Sequence, residues 1–436
     1  MTTRREFLGA SGGVMAAGWT GARPGPNDTI NLALIGCGAR GRSVLIPGFG
    51  KLPGTRFAAV CDVNSKHLAD GRQRAGGERV AAYHDYRKLL EDKSIDAVII
   101  ATNQHWHVLP VIAACQAGKD VYLEKPAGNS IGEGRFAIAA AQKYGRIVQI
   151  GTQQRSQEHY RRAVEVIQSG RLGEISEVRV WDYENQAPGF GSPPDCEPPP
   201  ELDWDFYVGP APWRAYNPNI YYNYGYDWFK LSGGGHQVAW GVHHFDVVLW
   251  AMGVQWPATV SALGGNYAFQ DNREWPNTFS ATATFGPGLV AKQGFLLQYN
   301  MRVGCKREVR AHGKCFLGTQ ASLFLDRAGY SIVAEPSRGG KPAPSGNLVN
   351  AEEEFATAGD GNRHFDVFLE NVRQRKQPLA NAETGHYASN VGHLMNISWE
   401  AGRSIRWDGE REQVIGDTEA NALVMKPYRA PWKLTV

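Results

Sequence analysis

The chain has no excess charge of either sign, no cysteine spacing typical of a metal or redox motif, no internal repeat and no apolar stretch fit to span a bilayer. Its 46 Lys and Arg against 43 Asp and Glu leave a net charge of +3, so nothing in the balance calls for a nucleic-acid or membrane-surface partner. The six cysteines, Cys37, Cys61, Cys115, Cys196, Cys305 and Cys315, include no C-x-x-C pair. The first three fall in apolar elements, where buried free thiols are expected, while Cys305 and Cys315 are spaced so that a hairpin bridge stays open. The histidine pairs His105/His107 and His243/His244 lack a nearby carboxylate cluster with ligand spacing, so no metal site is expected. What is present is 436 residues, 42% hydrophobic and 20% charged, the composition of a globular protein too long for one core and suited to two domains.

The first residues stand apart. Thr3-Arg4-Arg5-Glu6-Phe7-Leu8 precedes a modestly apolar, glycine- and alanine-rich stretch from Gly9 to Trp19, a pattern that resembles a twin-arginine export signal. The stretch is too short and too glycine-rich to cross a bilayer stably as a helix. Cleavage near Ala22 is expected, which makes residues 1–28 a signal and lead-in and the mature chain a periplasmic or secreted protein.

The most informative segment is Gly36-Cys37-Gly38-Ala39-Arg40-Gly41, directly after the apolar run 30–35. A strand that ends in a glycine turn and opens a helix points backbone N–H groups and the positive end of a helix dipole at one spot, which suits a pyrophosphate. Gly36 serves the tight turn, Gly38 the approach of phosphate to backbone, and Gly41 the packing of helix on strand. Asp62, 21 positions beyond Gly41, closes a second apolar run, where a carboxylate accepts hydrogen bonds from a ribose 2′-OH and repels a 2′-phosphate. NAD is therefore favoured as cofactor; Arg40 and Lys66 nearby leave NADP open.

Strand-like and helix-like runs alternate up to about residue 150: strands at 95–101, 121–123 and 147–150, and a helix at 110–117 closed by Gly118. Such alternation builds a doubly wound parallel sheet, a Rossmann domain over residues 29–150, with ligands at the strand C-termini. Beyond it the pattern changes. A helix is read at 159–169, a strand at 175–182, irregular backbone at 187–212, and strands at 258–263, 278–285, 290–298 and 307–317, which fit a mainly antiparallel sheet. A loop at 336–348 leads to helices at 364–373 and 386–403. Residues 151–436 thus form a second, α+β domain.

Glu124-Lys125-Pro126 follows the strand 121–123 immediately, at the end of the sheet where a nicotinamide would lie. A lysine there, partly desolvated and beside a cationic ring, is suited to take the proton from a hydroxyl as its carbon gives up hydride. Gln153, Gln154 and Arg155 follow the next strand and are placed to reach cofactor or substrate. The 13 Trp and 17 Tyr provide surfaces for stacking on sugar rings, although packing in sheets accounts equally for any one of them.

With these elements on the page, the chain resembles the Gfo/Idh/MocA oxidoreductase family. The resemblance rests on Gly36 to Gly41, on Ala101-Thr102-Asn103-Gln104-His105-Trp106-His107, on Glu124-Lys125-Pro126, and on Gly233-Gly234-Gly235 followed by Gly241-Val242-His243-His244-Phe245-Asp246. It implies a C-terminal domain with a large open sheet that carries a sugar pocket and often mediates homo-oligomerisation. It also implies Lys125 as the catalytic lysine, His243 as the histidine beside the substrate hydroxyl, and Thr102, Asn103, His105, His107 and Glu124 lining the cofactor site with Ala39 and Arg40. One departure matters: many members carry an aspartate four residues before that histidine, and here it is Ala239. His236, His244 and Asp246 are the nearest replacements in sequence, and Tyr226 and its neighbours could add acid/base groups. The implied activity is hydride transfer between a tightly held nicotinamide and a sugar, polyol or glycoside hydroxyl. Two alternatives remain: an NAD-dependent glycosidase working by transient C3 oxidation, elimination and re-reduction, and a non-catalytic carbohydrate-binding protein that retains the cofactor.

Overall fold

The computed structural model describes residues 29–222, 225–308, 310–336, 352–357 and 360–436. The export signal expected at 1–28, most of the 336–348 loop and the side chain of Tyr226 lie outside the described residues. Six strands, β1 (Ile30–Ile35), β2 (Thr55–Cys61), β3 (Ala81–Tyr83), β4 (Ala97–Ile100), β5 (Asp120–Leu123) and β6 (Val148–Ile150), pair in parallel in the order β3-β2-β1-β4-β5-β6. β4 and β5 are buried along their whole length, which is why they read as unbroken apolar runs: helices cover both faces of such a sheet. The order reverses between β1 and β4, and the crevice beyond the strand C-termini at that point is where the fold admits a ligand.

The cover of this sheet is not all local. One face, built from Leu32, Leu34, Ile99 and Tyr122, packs against Phe365, Phe368 and Leu369 of the helix Arg363–Gln374. The other face packs against the helices Val108–Gln116 and Ile131–Lys143 and takes in Tyr428 and Trp432 from the C-terminal tail. The first of the two terminal helices, expected with the second domain, therefore sits on the nucleotide sheet. Its own periodicity announces an amphipathic helix but not which sheet receives it. His364 fixes the arrangement, its Nε2 lying 2.9 Å from the carbonyl oxygen of Ile150 at the end of β6.

The second sheet has ten strands: β7 (Ile175–Tyr183), β8 (Thr259–Gly265), β9 (Thr278–Phe285), β10 (Phe295–Arg302), β11 (His312–Gly318), β12 (Ala321–Asp326), β13 (Gly329–Ala334), β14 (Glu352–Phe355), β15 (Ile405–Asp408) and β16 (Gln413–Val414). Their order is β14-β13-β12-β11-β7-β10-β9-β8-β15-β16, with β7 and β10 the parallel pair in an otherwise antiparallel array. Phe295, Leu297, Tyr299 and Met301 of β10 point inward and alternate with more exposed neighbours. The helices Glu158–Gln168, Gly241–Met252 and Ala382–Ala401 bury that inward face. β10 starts later than the expected residue 290, because a turn closed by Gly288 N donating to Ala291 O intervenes. β12 to β16 were not anticipated. Cys305 and Cys315 do not bridge: Cys315 is buried in β11, Cys305 is exposed in the loop before it, and both are free.

The 20-residue helix Ala382–Ala401 ties the two sheets together, with Gly385 against Ile150 of β6 and Leu394 in the core beneath the second sheet. Leu394 is fully buried. Leu394→Ala is expected to lower unfolding free energy by about 2–5 kcal/mol, the range for a leucine cavity that cannot collapse, as measured by chemical denaturation.

Candidate functional site

The glycine turn is built for close approach. Gly36 adopts φ +98°, and a Cβ there would sit 2.6 Å from the carbonyl carbon of Ala101 on the neighbouring loop, so no other residue fits. A Cβ at Gly41 would meet the carbonyl oxygen of Gly36 at 2.3 Å, whereas one at Gly38 would project into open space. The helix that begins at Ala39 leaves its first N–H groups without intrahelical partners. Asp62 braces the turn from the end of β2: its Oδ2 accepts from Cys37 N at 2.6 Å and its Oδ1 from Asn64 N at 2.7 Å. Burial raises its pKa against these bonds. Arg40 Nε donates to Glu124 Oε1 at 2.6 Å, and Lys66 Nζ to Glu201 Oε1 at 2.8 Å, so both cations near Asp62 face carboxylates of the protein.

Lys125 emerges from the end of β5, half-buried, and donates from Nζ to the carbonyl oxygen of Ala239 at 3.0 Å. That bond joins the parallel sheet to the segment holding His236, the first residue of the helix His236–Ala239, and His243, early in the helix Gly241–Met252. His243 is buried with Nδ1 unpartnered; burial, reinforced by Lys125 and more distant cations, pushes its pKa well below the ordinary histidine value and keeps the ring neutral. His236 Nε2 lies 2.9 Å from Asp182 Oδ2 of β7. Gln104 clamps the approach, accepting from Gly234 N at 3.1 Å through Oε1 and donating to Asp227 Oδ1 at 2.9 Å through Nε2. Burial raises the pKa of Asp227, and the charge of Lys125 acts in the opposite direction.

Residues 30–152 match the family described as oxidoreductase, NAD-binding Rossmann fold, and residues 344–434 match the C-terminal α/β domain of the same oxidoreductase family. Both segments match the Gfo/Idh/MocA oxidoreductase family. A myo-inositol 2-dehydrogenase from Thermotoga maritima is 27% identical over 360 residues, 82% of this chain and 92% of that protein. An inositol 2-dehydrogenase from Salmonella paratyphi B is 32% identical over 171 residues, 38% of this chain and 49% of that protein. The chain spans about half the length of the first curated relatives it matches. Among solved structures, the WlbA dehydrogenase from Bordetella pertussis, in complex with NADH and UDP-GlcNAcA, has the same fold at 17% identity and TM-score 0.64, covering 87% of this chain and 99% of that one.

The parallel sheet is thus the family's NAD-binding Rossmann domain, and its residues fit the dinucleotide. The turn leaves space over Gly38, Asp62 closes β2 beside it, and Thr102 Oγ1 is buried without a partner. Other residues expected at the cofactor have protein partners. His107 sets both ring nitrogens against main-chain carbonyls, Nδ1 at 2.6 Å from Pro126 O and Nε2 at 3.1 Å from Thr102 O, and so braces the loop carrying Lys125. His105 Nε2 lies 2.9 Å from Tyr207 O, and the Asn103 amide donates to the Tyr207 hydroxyl. The family resemblance identified the loop; which way its side chains turn depends on Tyr207, a hundred residues away.

On the substrate side the expected residues separate. Arg155, expected to reach a ligand, is instead buried in an ion pair with Asp246, its Nε 2.8 Å from Oδ1 and 2.9 Å from Oδ2, with the guanidinium over the Trp250 ring. This pairing also removes Asp246 as a substitute for the carboxylate missing at Ala239. Gln154 Oε1 accepts from Lys314 Nζ at 3.3 Å, Gln153 keeps a buried unpartnered Oε1, and neither ring nitrogen of buried His244 has a partner. Asp182, Asp227, Trp240 and Lys314 were not singled out. Isolated carboxylates on an ordinary strand and a short helix carry no local signal, and Lys314 is an alternating strand residue until the fold buries it completely, lowering its pKa to about 7. Among the described residues no group of three His, Cys, Asp or Glu side chains could hold a metal ion. Arg155→Met, which strands Asp246 in the core, is expected to lower stability by about 3–5 kcal/mol while the protein still retains nicotinamide, as read by denaturant titration and cofactor extraction.

Proposed function

We propose that the chain is an NAD-dependent oxidoreductase that exchanges hydride with a hydroxyl carbon of a sugar, polyol or glycoside. The observation that carries this reading is the convergence of Lys125, neutral His243 and a set of buried polar atoms without partners, including His243 Nδ1, Thr102 Oγ1 and Gln153 Oε1, at the strand ends beside the dinucleotide turn. Buried polar groups in a native protein are normally paired, so a concentration of unpaired ones points to a polar ligand rich in hydroxyls. The bound nicotinamide supplies the hydride acceptor. Lys125 Nζ takes the proton of the reacting hydroxyl in place of its hydrogen bond to Ala239, and His243, held neutral, accepts or donates a hydrogen bond at the same oxygen. Asp62 favours a free ribose 2′-OH and hence NAD.

A second reading is a redox-assisted glycosidase, and the observation in its favour is the replacement of the family aspartate by Ala239 together with the extra acid/base pair His236 and Asp182. The signal-like residues 1–28 support export by the twin-arginine route, which carries folded proteins. An exported enzyme of this kind would keep its cofactor bound and regenerate it within the site.

Denaturing the purified protein should release NAD in near-stoichiometric amount. On a panel of myo-inositol, D-glucose and nitrophenyl glycosides, Lys125→Met should cut turnover by roughly 10²- to 10⁴-fold, the size of a lost general base, without loss of bound cofactor. A protein that neither releases nor takes up nicotinamide, or a Lys125→Met variant with full activity, would end this reading. Net reduction of cofactor on a free sugar separates the dehydrogenase from the glycosidase.

A further inference from the structure

The pair formed by His236 and Asp182 has no part in the proton work assigned to Lys125 and His243. Asp182 is 2% exposed and His236 3% exposed, and a buried charged pair is seldom a net stabiliser compared with two apolar side chains, because desolvation offsets the attraction. The ring is held flat: it stacks on Trp228 at 5.7 Å with the planes 2° apart and lies 6.0 Å from Trp240. Trp240 is half-buried and lies 6.0 Å from the ring of His243. The helix that begins with His236 ends at Ala239, whose carbonyl holds Lys125, so one short segment brings the Lys125 amine and both imidazoles together. Although 2.9 Å apart, Nε2 of His236 and Oδ2 of Asp182 are not aligned as a hydrogen bond, and the Tyr299 hydroxyl, buried within the influence of Asp182, is also without a partner.

We propose that His236, held by Asp182, is a second catalytic proton-exchanging group that contacts a substrate oxygen other than the hydroxyl served by Lys125, so that the substrate is a carbohydrate presenting two oxygens to one site rather than a simple alcohol. The assignment rests on Lys125 as the hydroxyl base. Lys125 gains the proton of the reacting hydroxyl; His236 lends its own to the second oxygen and recovers it when product leaves, with no net proton taken by the pair. Burial opposes charge on His236, but Asp182, with Glu184 and Asp227 behind it, outweighs burial and raises its pKa, the reverse of His243. Environments that push two titratable groups apart give one site a donor and an acceptor at the same pH. The charged groups acting on the ring are Asp182 from β7, Glu184 just beyond it and Asp227 from the helix Gly225–Trp228, with Lys125 acting in turn on Asp227.

A group with a raised pKa is protonated below that value and loses its proton as pH rises through it, so wild-type turnover should fall on the alkaline side. On the same panel, His236→Gln should lower kcat roughly 100-fold with KM within about three-fold, abolish the alkaline limb and leave bound nicotinamide unchanged. Asp182→Asn, which keeps the ring but removes its counter-charge, should move the limb to lower pH. Nitrogen-detected NMR titration, assigned with His236→Gln, should show the His236 ring titrating above the ordinary histidine value in wild type and below it in Asp182→Asn. A wild-type pH profile in both variants, a loss confined to KM, or a ring titration unmoved by Asp182→Asn overturns the proposal. Extraction of nicotinamide and the Lys125→Met result read the underlying function separately, and should His236→Gln fail to fold, the Asp182→Asn profile and the titration decide alone.

Discussion

The hydrogen bond from Lys125 Nζ to the carbonyl of Ala239 is the contact on which the arrangement of the site depends, because it makes the end of a parallel strand and the end of a short helix from the other domain into one surface. Neither partner could be placed there by local structure alone. β5 fixes the lysine because the strand is buried on both faces and cannot slide, and the carbonyl is fixed because the Gly233 to Gly235 turn is gripped from several sides. Gln104 takes the N–H of Gly234, Asn396 donates to its carbonyl at 2.7 Å, and Trp275 Nε1 donates to the carbonyl of Gly233 at 3.0 Å. Asn396 belongs to the long helix Ala382–Ala401, so the element that holds the two sheets together also sets the geometry of the site.

The same region gives up stability. His243, His244, Asp182, Tyr299 and Gln153 all bury side-chain atoms without well-formed hydrogen bonds, and each such atom costs about 1–3 kcal/mol against a paired or apolar alternative. An interior optimised for folding alone would fill these positions with apolar side chains, as β9 and the rest of β10 do with Phe279, Ala281, Leu297 and Met301. A large, well-packed core beneath the second sheet offsets the deficit. Concentrated polar frustration beside a rigid cradle for phosphate is the signature of a binding site rather than of a poor core.

The parallel sheet was legible because its signals are local: apolar runs of strand length, a glycine turn whose φ and close contacts exclude other residues, and an acid at the right remove from it. Lys125 was legible for the same reason, since its position at a strand end follows from the adjacent sequence. Arg155 shows where such reasoning stops. A charged residue just after a strand looks like a ligand contact, yet it is neutralised by Asp246, 91 positions later, and nothing near Arg155 announces that partner. The edge strand β14 was missed because an edge strand of an open sheet need not be apolar; it is Glu-Glu-Glu-Phe. The helix Arg363–Gln374 was recognised as a helix, but its destination on the nucleotide sheet is a long-range choice made by Phe365 and Phe368.

Ala239 can be understood through charge. Family members with an aspartate at this point set a carboxylate beside the lysine; here the backbone carbonyl of Ala239 meets Lys125, and the negative charge has to come from elsewhere. Glu124 is engaged by Arg40 and Asp246 by Arg155, whereas the buried carboxyl of Asp227 lies within the influence of Lys125. Asp227 arrives from a different element, acts on both Lys125 and His236, and is oriented by Gln104, itself part of the loop at the cofactor site. The substitution therefore moves the counter-charge away from the helix His236–Ala239 and toward the loop that carries Gln104. Lys125 thus keeps a carbonyl rather than an anion as its direct hydrogen-bond partner, and under the proposed function a substrate hydroxyl displaces only that neutral acceptor.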